Sequence, residues 1–312
     1  MRVVRHLRRE PRPLPRVVLT LGNFDGVHLG HQAIIRRATD EAQVLGGQAV
    51  VLTFEPHPIA VLAPDRAPPL LQPLRDRLAL FREHGVATTV LQRFTRSFAA
   101  LPPEEFVQDF LLRHLDLAHV VVGHNVSFGR GRAGSVETLA ELGRRHGFAV
   151  DVVGPVAVEG DEVSSTILRG VLREGDMRRA RRMLGRPFAM RGRVVTGEQR
   201  GRTLGFPTAN LHLRPRLVLP PDGVYAVAVS LDGHRVQGVL NIGIRPTFGE
   251  RRRTIEVHLL DWSGDLYRRW LVVDVIERLR GEQAFAGPDA LRAAIAADVA
   301  RARTVLAADV GP

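Results

Sequence analysis

Two histidines three residues apart, His28 and His31, close the segment Thr20-Leu-Gly-Asn-Phe-Asp-Gly-Val-His-Leu-Gly-His31, which also holds Gly22, Gly26 and Gly30. An imidazole N–H can donate to a phosphate oxygen whose charge grows as a leaving group departs, so such a pair suits phosphate chemistry. The glycines let the backbone turn tightly and approach a ligand, and a helix N-terminus behind them favours an anion. By themselves, two histidines in a loop are more often surface or cap residues, and a bare His-x-Gly-His match is weak. A second set is Ser164-Ser-Thr-Ile-Leu-Arg169, which offers hydroxyls and a guanidinium of the kind a triphosphate needs. Its plain reading is a helix cap at Ser165 or Thr166, and Arg169 separates the two readings. A third is the glycine-rich run from Gly192 to Asn210, whose backbone N–H groups suit phosphates. Finally, Glu256 alternates with Ile255 and Val257, so its carboxylate faces away from theirs, as a solvent-facing strand residue would.

Composition removes several chemistries. All 44 basic residues are arginine, and the string Gly-x4-Gly-Lys-Ser/Thr is absent, which excludes a P-loop kinase. With no cysteine there are no disulfides, thiolate metal sites or thiol nucleophiles, so a metal must sit on oxygen or imidazole. The net charge of +11 is compatible with polyanion binding. However, Arg144-Arg145, Arg178-Arg179, Arg181-Arg182 and Arg251-Arg252-Arg253 are short, scattered and without interleaved aromatics. Solvated faces are expected there, with no specific nucleic-acid partner. No stretch is apolar enough to span a bilayer, and Met1 to Arg9 lacks the apolar core of a signal peptide, so no membrane partner and a cytoplasmic location are expected.

The elements that must position these residues are α/β in type. Expected strands at Val17–Leu21, Ala49–Phe54, Thr88–Leu91, His119–Val122 and Ala149–Val153 alternate with helices at His31–Leu45, Leu74–His84, Pro103–Leu115 and Ser135–His146. That order predicts a doubly wound parallel sheet, in which ligands bind beyond the carboxyl ends of the strands. A helical run from Asp176 stops at Leu184-Gly-Arg-Pro187, and the domain boundary is placed there: 1–186 and 187–312. Short alternating strands at Ala189–Val195, Gly223–Val229, Gln237–Ile242, Thr254–Leu260 and Leu271–Leu279 predict a small antiparallel β-barrel, with a terminal helix over Pro288–Leu306.

Asn23 to His31 resembles the signature of HxGH nucleotidyltransferases, and its Phe-Asp-Gly-Val form resembles that of the prokaryotic bifunctional riboflavin kinase/FMN adenylyltransferase family. Thr53-Phe-Glu-Pro-His-Pro58, Leu101-Pro-Pro-Glu-Glu-Phe-Val107, Gly123-His-Asn-Val-Ser-Phe-Gly129 and Ser164 to Arg169 are similar to later blocks of that family. So are Gly205-Phe-Pro-Thr-Ala-Asn210, Asp222-Gly-Val-Tyr225, Gly238 to Gly243 with Pro246-Thr-Phe248, and Thr254 to Asp261. The resemblance runs from about Val17 to about Val305, departing at Val126 and Ser127, where the family often has an aromatic or basic pair. It implies riboflavin, FMN and ATP as substrates, FAD as product, and magnesium as cofactor. It further implies His28, His31, Arg169 and Glu256 as catalytic residues, with Glu256 the general base. ATP would be held by Gly22, Asn23, Phe24, Gly30, Ser164, Ser165, Thr166, Gly205 and Thr208. Thr208 and Asn210 would hold the metal, and Asn125, Asn241, Gly243 and Arg280 the flavin.

Two other readings remain: an HxGH adenylyltransferase of a different phosphate substrate, and a catalytically silent basic nucleic-acid-binding or regulatory protein. The barrel segments argue against the first, and the presence of His28, His31, Thr208, Asn210 and Glu256 against the second.

Overall fold

A computed structural model describes the chain apart from residues 11, 198–200, 202–203, 215, 248–249 and 310–312, and the side chains of residues 9, 245–247 and 250–252. Glu198, Gln199, Arg200, Arg202 and Thr203 of the glycine-rich run, and Phe248, therefore lie outside the described residues. The chain divides into two compact units, Met1–Leu70 with Leu74–Ser165, and Leu71–Pro73 with Thr166–Pro312. Among the described residues no helix is long and apolar enough to cross a membrane.

In the first unit β1 (Arg2–Arg5), β2 (Leu14–Leu21), β3 (Gln48–Glu55), β4 (Thr88–Arg93), β5 (Leu115–Gly123) and β6 (Ala149–Val153) form one sheet in the order β1-β4-β3-β2-β5-β6. Every neighbouring pair is parallel. Successive side chains leave opposite faces of a strand, and here both faces are buried. Val17, Leu19, Val50, Leu52, Val120 and Val122 enter one core, while Val18, Ala49 and Val121 enter another. That double burial is why these strands read as continuous apolar runs. The helices are α1 (Leu29–Val44), α2 (Pro58–Leu62), α3 (Leu74–Glu83), α4 (Arg96–Ala99), α5 (Pro103–Glu105) and α6 (Val136–His146). A small hairpin, β7 (Ala157–Val158) with β8 (Asp161–Glu162), precedes α7 (Ser165–Glu174).

Two expectations for this unit need correction. Arg2–Arg5 is an edge strand parallel to β4, with Val4 buried and Val3 outside; four residues are too few for alternation to show in the sequence. Pro103–Leu115 is not one α-helix. After α5, Phe106–Leu112 winds as a π-helix, packing Phe106 and Phe110 against Phe98, and Leu115 already begins β5.

The second unit continues α7 and adds α8 (Met177–Leu184), which ends at Gly185 with φ +69, the left-handed stop anticipated at the Gly-Arg-Pro signal. Strands β9 (Phe188–Val195), β10 (Ala209–Leu213), β11 (Gly223–Leu231), β12 (His234–Thr247), β13 (Glu250–Leu259) and β14 (Trp270–Gly281) close into an antiparallel barrel in the order β10-β13-β12-β11-β14-β9, with β9 also paired to β10. The sequence suggested five strands; β10 is the sixth, at the end of the glycine-rich run, and it closes the ring. The terminal helix α9 (Pro288–Ala308) buries Ala302 and Leu306 against Val224, Ala226, Val239 and Leu279 on the outer wall of the barrel.

Tyr225 on β11 is fully buried, its hydroxyl donating to the Pro221 carbonyl. Burial pushes its pKa up to about 12. A folded pKa above the ordinary value means the fold holds the phenol proton more tightly than the unfolded chain does. That stability is fully present below about pH 10 and is lost as pH rises toward about 12. Because the chain has no lysine or cysteine and only two tyrosines, few other side chains titrate there. Urea midpoints measured from about pH 9 to 11.5 are therefore expected to fall for the native chain and to fall much less for Tyr225→Phe.

Candidate active sites

The strand order reverses at β2. From it the chain moves to β3 and β4 on one side, then resumes with β5 and β6 on the other. The segments leaving β2 and β5 thus flank the switch point where open α/β sheets bind ligands. The turn 22–28 is sharply bent, with left-handed φ at Phe24 (+50), Gly26 (+93) and Val27 (+39). Only glycine adopts such values freely; Phe24 and Val27 are held there by burial in an apolar cluster with Ile35 and Phe81. His28 is the N-cap of α1, its Nδ1 accepting the His31 backbone N–H at 3.4 Å. A neutral ring that accepts at Nδ1 carries its proton on Nε2 and can donate from there. The His28 and His31 rings stack at 3.6 Å, and the edge of Phe24 meets His31 at 5.2 Å.

Several side chains behind the turn fix its backbone. The Asn23 carbonyl accepts from Thr53 Oγ1 at 3.3 Å and from Arg77 Nη1 at 2.5 Å. Ser165 Oγ donates to the Asp25 carbonyl at 2.8 Å, and Gln32 Nε2 to that of Val27 at 2.8 Å. Gly30 leaves room for the His28 ring, since a Cβ there would lie 3.3 Å from it. Arg77 is itself buried, and burial pushes its pKa down while Asp25 and Glu55 pull it up. Across the switch point, Gly129 has φ +72, and a Cβ on it would press into Pro103; Arg130 N–H bonds the Leu101 carbonyl. The Leu101-to-Val107 block therefore supports the loop that carries Asn125, which is exposed.

In the barrel, register does the gathering. Asn210 on β10 and Asn241 on β12 both pair with Glu256 on β13. Paired residues of antiparallel strands share a face, so three polar side chains stand in one row. Ile255 and Val257 are buried in the barrel interior, which puts the row on the outer wall. Thr208 Oγ1 donates to Glu256 Oε2 at 3.3 Å. Two glycines of the glycine-rich run, Gly197 and Gly201, come close to this row and to the segment leading into it. A Cβ on Gly197 would lie 2.1 Å from the Asn210 amide, and one on Gly201 would lie 2.4 Å from the Phe206 carbonyl. Gly205 has φ +87. Gly243, two residues beyond Asn241, lies against Glu282: a Cβ there would be 2.8 Å from its Oε1.

The structure brings Gly22, Asn23, Phe24, His28, Gly30 and His31 into one turn, joined to Ser165 through Asp25, and brings Thr208, Asn210, Glu256, Asn241 and Gly243 into one row. Ser164 belongs to the first unit, whereas Thr166, exposed, and Arg169, buried, belong to the second. Ser165 is no simple cap, since its hydroxyl serves the turn. Arg280 is tied down: its guanidinium makes a two-pronged bond to Asp298 of α9 at 2.8 to 3.1 Å and lies over the Phe285 ring. The Asp222-Gly-Val-Tyr225 segment is architectural. Asp222 holds Arg253 and Tyr225 holds Pro221, while a Cβ on Gly223 would meet the Arg280 carbonyl at 2.4 Å. Sequence reasoning gave no role to Arg77 or Glu282, whereas Gly197 and Gly201 lie in the glycine-rich run it picked out. A signal existed for Arg77, which occupies an apolar-stripe position of α3 with Leu74, Leu78 and Phe81.

The first unit thus carries a histidine pair at the switch point of a parallel sheet, and the second a Thr-Asn-Glu constellation on a closed barrel. The comparisons agree: a FAD synthetase family model matches residues 10–167 and a riboflavin kinase model matches residues 184–306. A bifunctional riboflavin kinase/FMN adenylyltransferase of Escherichia coli (strain K12) is 43% identical over 92% of this chain and 91% of its own. One from Bacillus subtilis (strain 168) is 36% identical over 86% of each chain. The chain belongs to the bifunctional riboflavin kinase/FMN adenylyltransferase family. A crystal structure from Streptococcus pneumoniae, described as a macrolide-efflux protein, superposes with a TM-score of 0.88 at 30% identity, covering 97% of this chain and 99% of that one.

The Ser165 tie generates a test. Ser165→Ala removes a part-buried hydrogen bond and is expected to destabilise the chain by about 1 kcal/mol in chemical denaturation.

Proposed function

We propose that this chain phosphorylates riboflavin to FMN and then adenylates FMN to FAD, using one ATP in each step. The observation that carries the reading is the existence of two phosphate-suited residue sets, one centred on the β2–α1 turn and one on the barrel row, each centre lying in a segment matched by a different family model. Residues 1–186 are assigned to adenylyl transfer and 187–312 to the kinase reaction. ATP consumption fits the cytoplasmic location expected from the sequence.

In adenylyl transfer a phosphate oxygen of FMN bonds to the α-phosphorus of ATP as the bond to the β-phosphate bridging oxygen breaks and pyrophosphate leaves. No protein nucleophile is needed. His28 Nε2–H and His31 donate to the oxygens on which charge accumulates, and by the family resemblance Arg169 is the guanidinium assigned to the same reaction. The backbone of Gly22 to Phe24 and the hydroxyls of Ser164, Ser165 and Thr166 receive the nucleotide, and Asn125 the flavin. In the kinase reaction the ribityl 5′-hydroxyl oxygen bonds to the γ-phosphorus as ADP leaves, and the hydroxyl proton passes to the Glu256 carboxylate. The Thr208 hydroxyl orients that carboxylate. Gly205 lets the run pass close to the nucleotide, while Asn241 and Gly243 bound the flavin's place. Because Arg280 is committed to Asp298, it is assigned to fixing the end of β14 on which the flavin rests.

Magnesium fits the barrel row. Thr208 and Asn210 supply hydroxyl and amide oxygens, hard donors that leave room for waters and nucleotide oxygens. When bound, the ion would neutralise charge on the phosphates.

Incubating the purified chain with riboflavin, ATP and magnesium and separating the flavins is expected to yield both FMN and FAD. Unchanged riboflavin would refute the reading. Glu256→Ala is expected to abolish FMN formation while supplied FMN is still converted to FAD; His31→Ala is expected to do the reverse. Parallel loss of both activities in either variant would contradict two independent sites.

A further inference from the structure

We propose that Arg77 is a positioning residue for adenylyl transfer: through the Asn23 carbonyl its guanidinium sets the peptide that opens the His28–His31 turn. The proposal rests on the adenylyl-transfer reading above.

Arg77 lies on α3 and is 5% exposed, beside the cluster of Phe24, Val27, Leu78 and Phe81. A charge in such surroundings is costly, and a methionine or leucine would fill the space as well. The contacts show what the charge does there. Nη1 donates to the Asn23 carbonyl, Nη2 lies 3.5 Å from Glu55 Oε2, and the group is attracted by Asp25, itself 2% exposed. Nε is buried without a hydrogen-bond partner among the described residues, so the guanidinium sits where the turn needs it rather than where its own donors are all satisfied.

The consequence follows from the planarity of the peptide. In a trans peptide C=O and N–H point in opposite directions, so fixing the Asn23 carbonyl toward Arg77 and Thr53 turns the Phe24 N–H to the other side of the loop. Phe24, on the far side of that peptide, has φ +50, and its ring is the one that meets His31 edge-on. A line of contact thus runs from Arg77 through the Asn23–Phe24 peptide to a histidine of the pair. The guanidinium also offsets two carboxylates, Asp25 and Glu55, that would otherwise repel a polyphosphate bound at the turn.

The test uses the full chain, whose kinase activity reports independently on folding of the second unit. Steady-state conversion of FMN to FAD is measured for Arg77→Met, Arg77→Lys and Thr53→Val, with KM for ATP and kcat separated. Arg77→Met is expected to lower kcat/KM for ATP by about tenfold to a hundredfold while riboflavin phosphorylation stays within about twofold of native. Arg77→Lys is expected to recover part of the loss, and Thr53→Val, which removes the second donor to the same carbonyl, to shift the constants in the same direction by less. Native kcat and KM in Arg77→Met would overturn the proposal. If Arg77→Met loses the first unit's fold, as seen by thermal melting, native constants in Thr53→Val would overturn it instead. A native chain that makes no FAD from FMN would refute the adenylyl-transfer reading itself, an outcome distinct from a native chain that makes FAD and variants that equal it.

Discussion

Seven residues separate the end of β2 from the start of α1, and in that span the backbone must leave a buried sheet and begin a helix. Three left-handed positions are the result, two of them at Phe24 and Val27, where each costs on the order of 1–3 kcal/mol. Such a turn persists only if its surroundings over-determine it. Here Thr53 and Arg77 grip one carbonyl, Ser165 a second and Gln32 a third, while the Phe24 ring is packed between Phe81 and His31. The stacked imidazoles are therefore presented by strain stored in the backbone and balanced by contacts drawn from β3, α1, α3 and the start of α7.

The barrel meets the same need by other means. No bent turn is required to bring Asn210, Glu256 and Asn241 together, because neighbouring antiparallel strands in fixed register already do so. What must be shaped is the approach to the row, and Gly197 and Gly201 allow it by lacking side chains where the Asn210 amide and the Phe206 carbonyl come close. One unit thus fixes its chemistry by conformation and the other by alignment. Each has its own apolar core, and this explains why both can be read as self-sufficient sets of residues.

Much of this was legible in the sequence. The central strands of the parallel sheet were plain because both their faces are buried and the apolar letters run without interruption. His28 and His31 stood out through the glycines around them, and the outward direction of Glu256 followed from Ile255 and Val257. Strands of four and five residues, Arg2–Arg5 and Ala209–Leu213, were not legible, since they are held by partners far along the chain rather than by their own pattern. The π-helical stretch at Phe106–Leu112 has the same apolar spacing as an α-helix, so nothing in the letters marks it. Arg77 escaped because its role depends on two carboxylates and a carbonyl from β3 and the β2–α1 turn, which only the tertiary structure brings together.

The alternation along β13 carries a consequence for how this protein can vary. Interior and exterior letters there obey separate demands, so the outer wall on either side of Glu256 can change while Ile255 and Val257 keep the barrel filled. Length is another matter. Dropping or adding a single amino acid ahead of Glu256 in this strand would reverse the parity of everything beyond it, sending the Glu256 carboxylate into the oily lumen and an aliphatic chain out beside Asn210 and Asn241. Evolution is thus free to edit the spelling of β13 but not its reading frame.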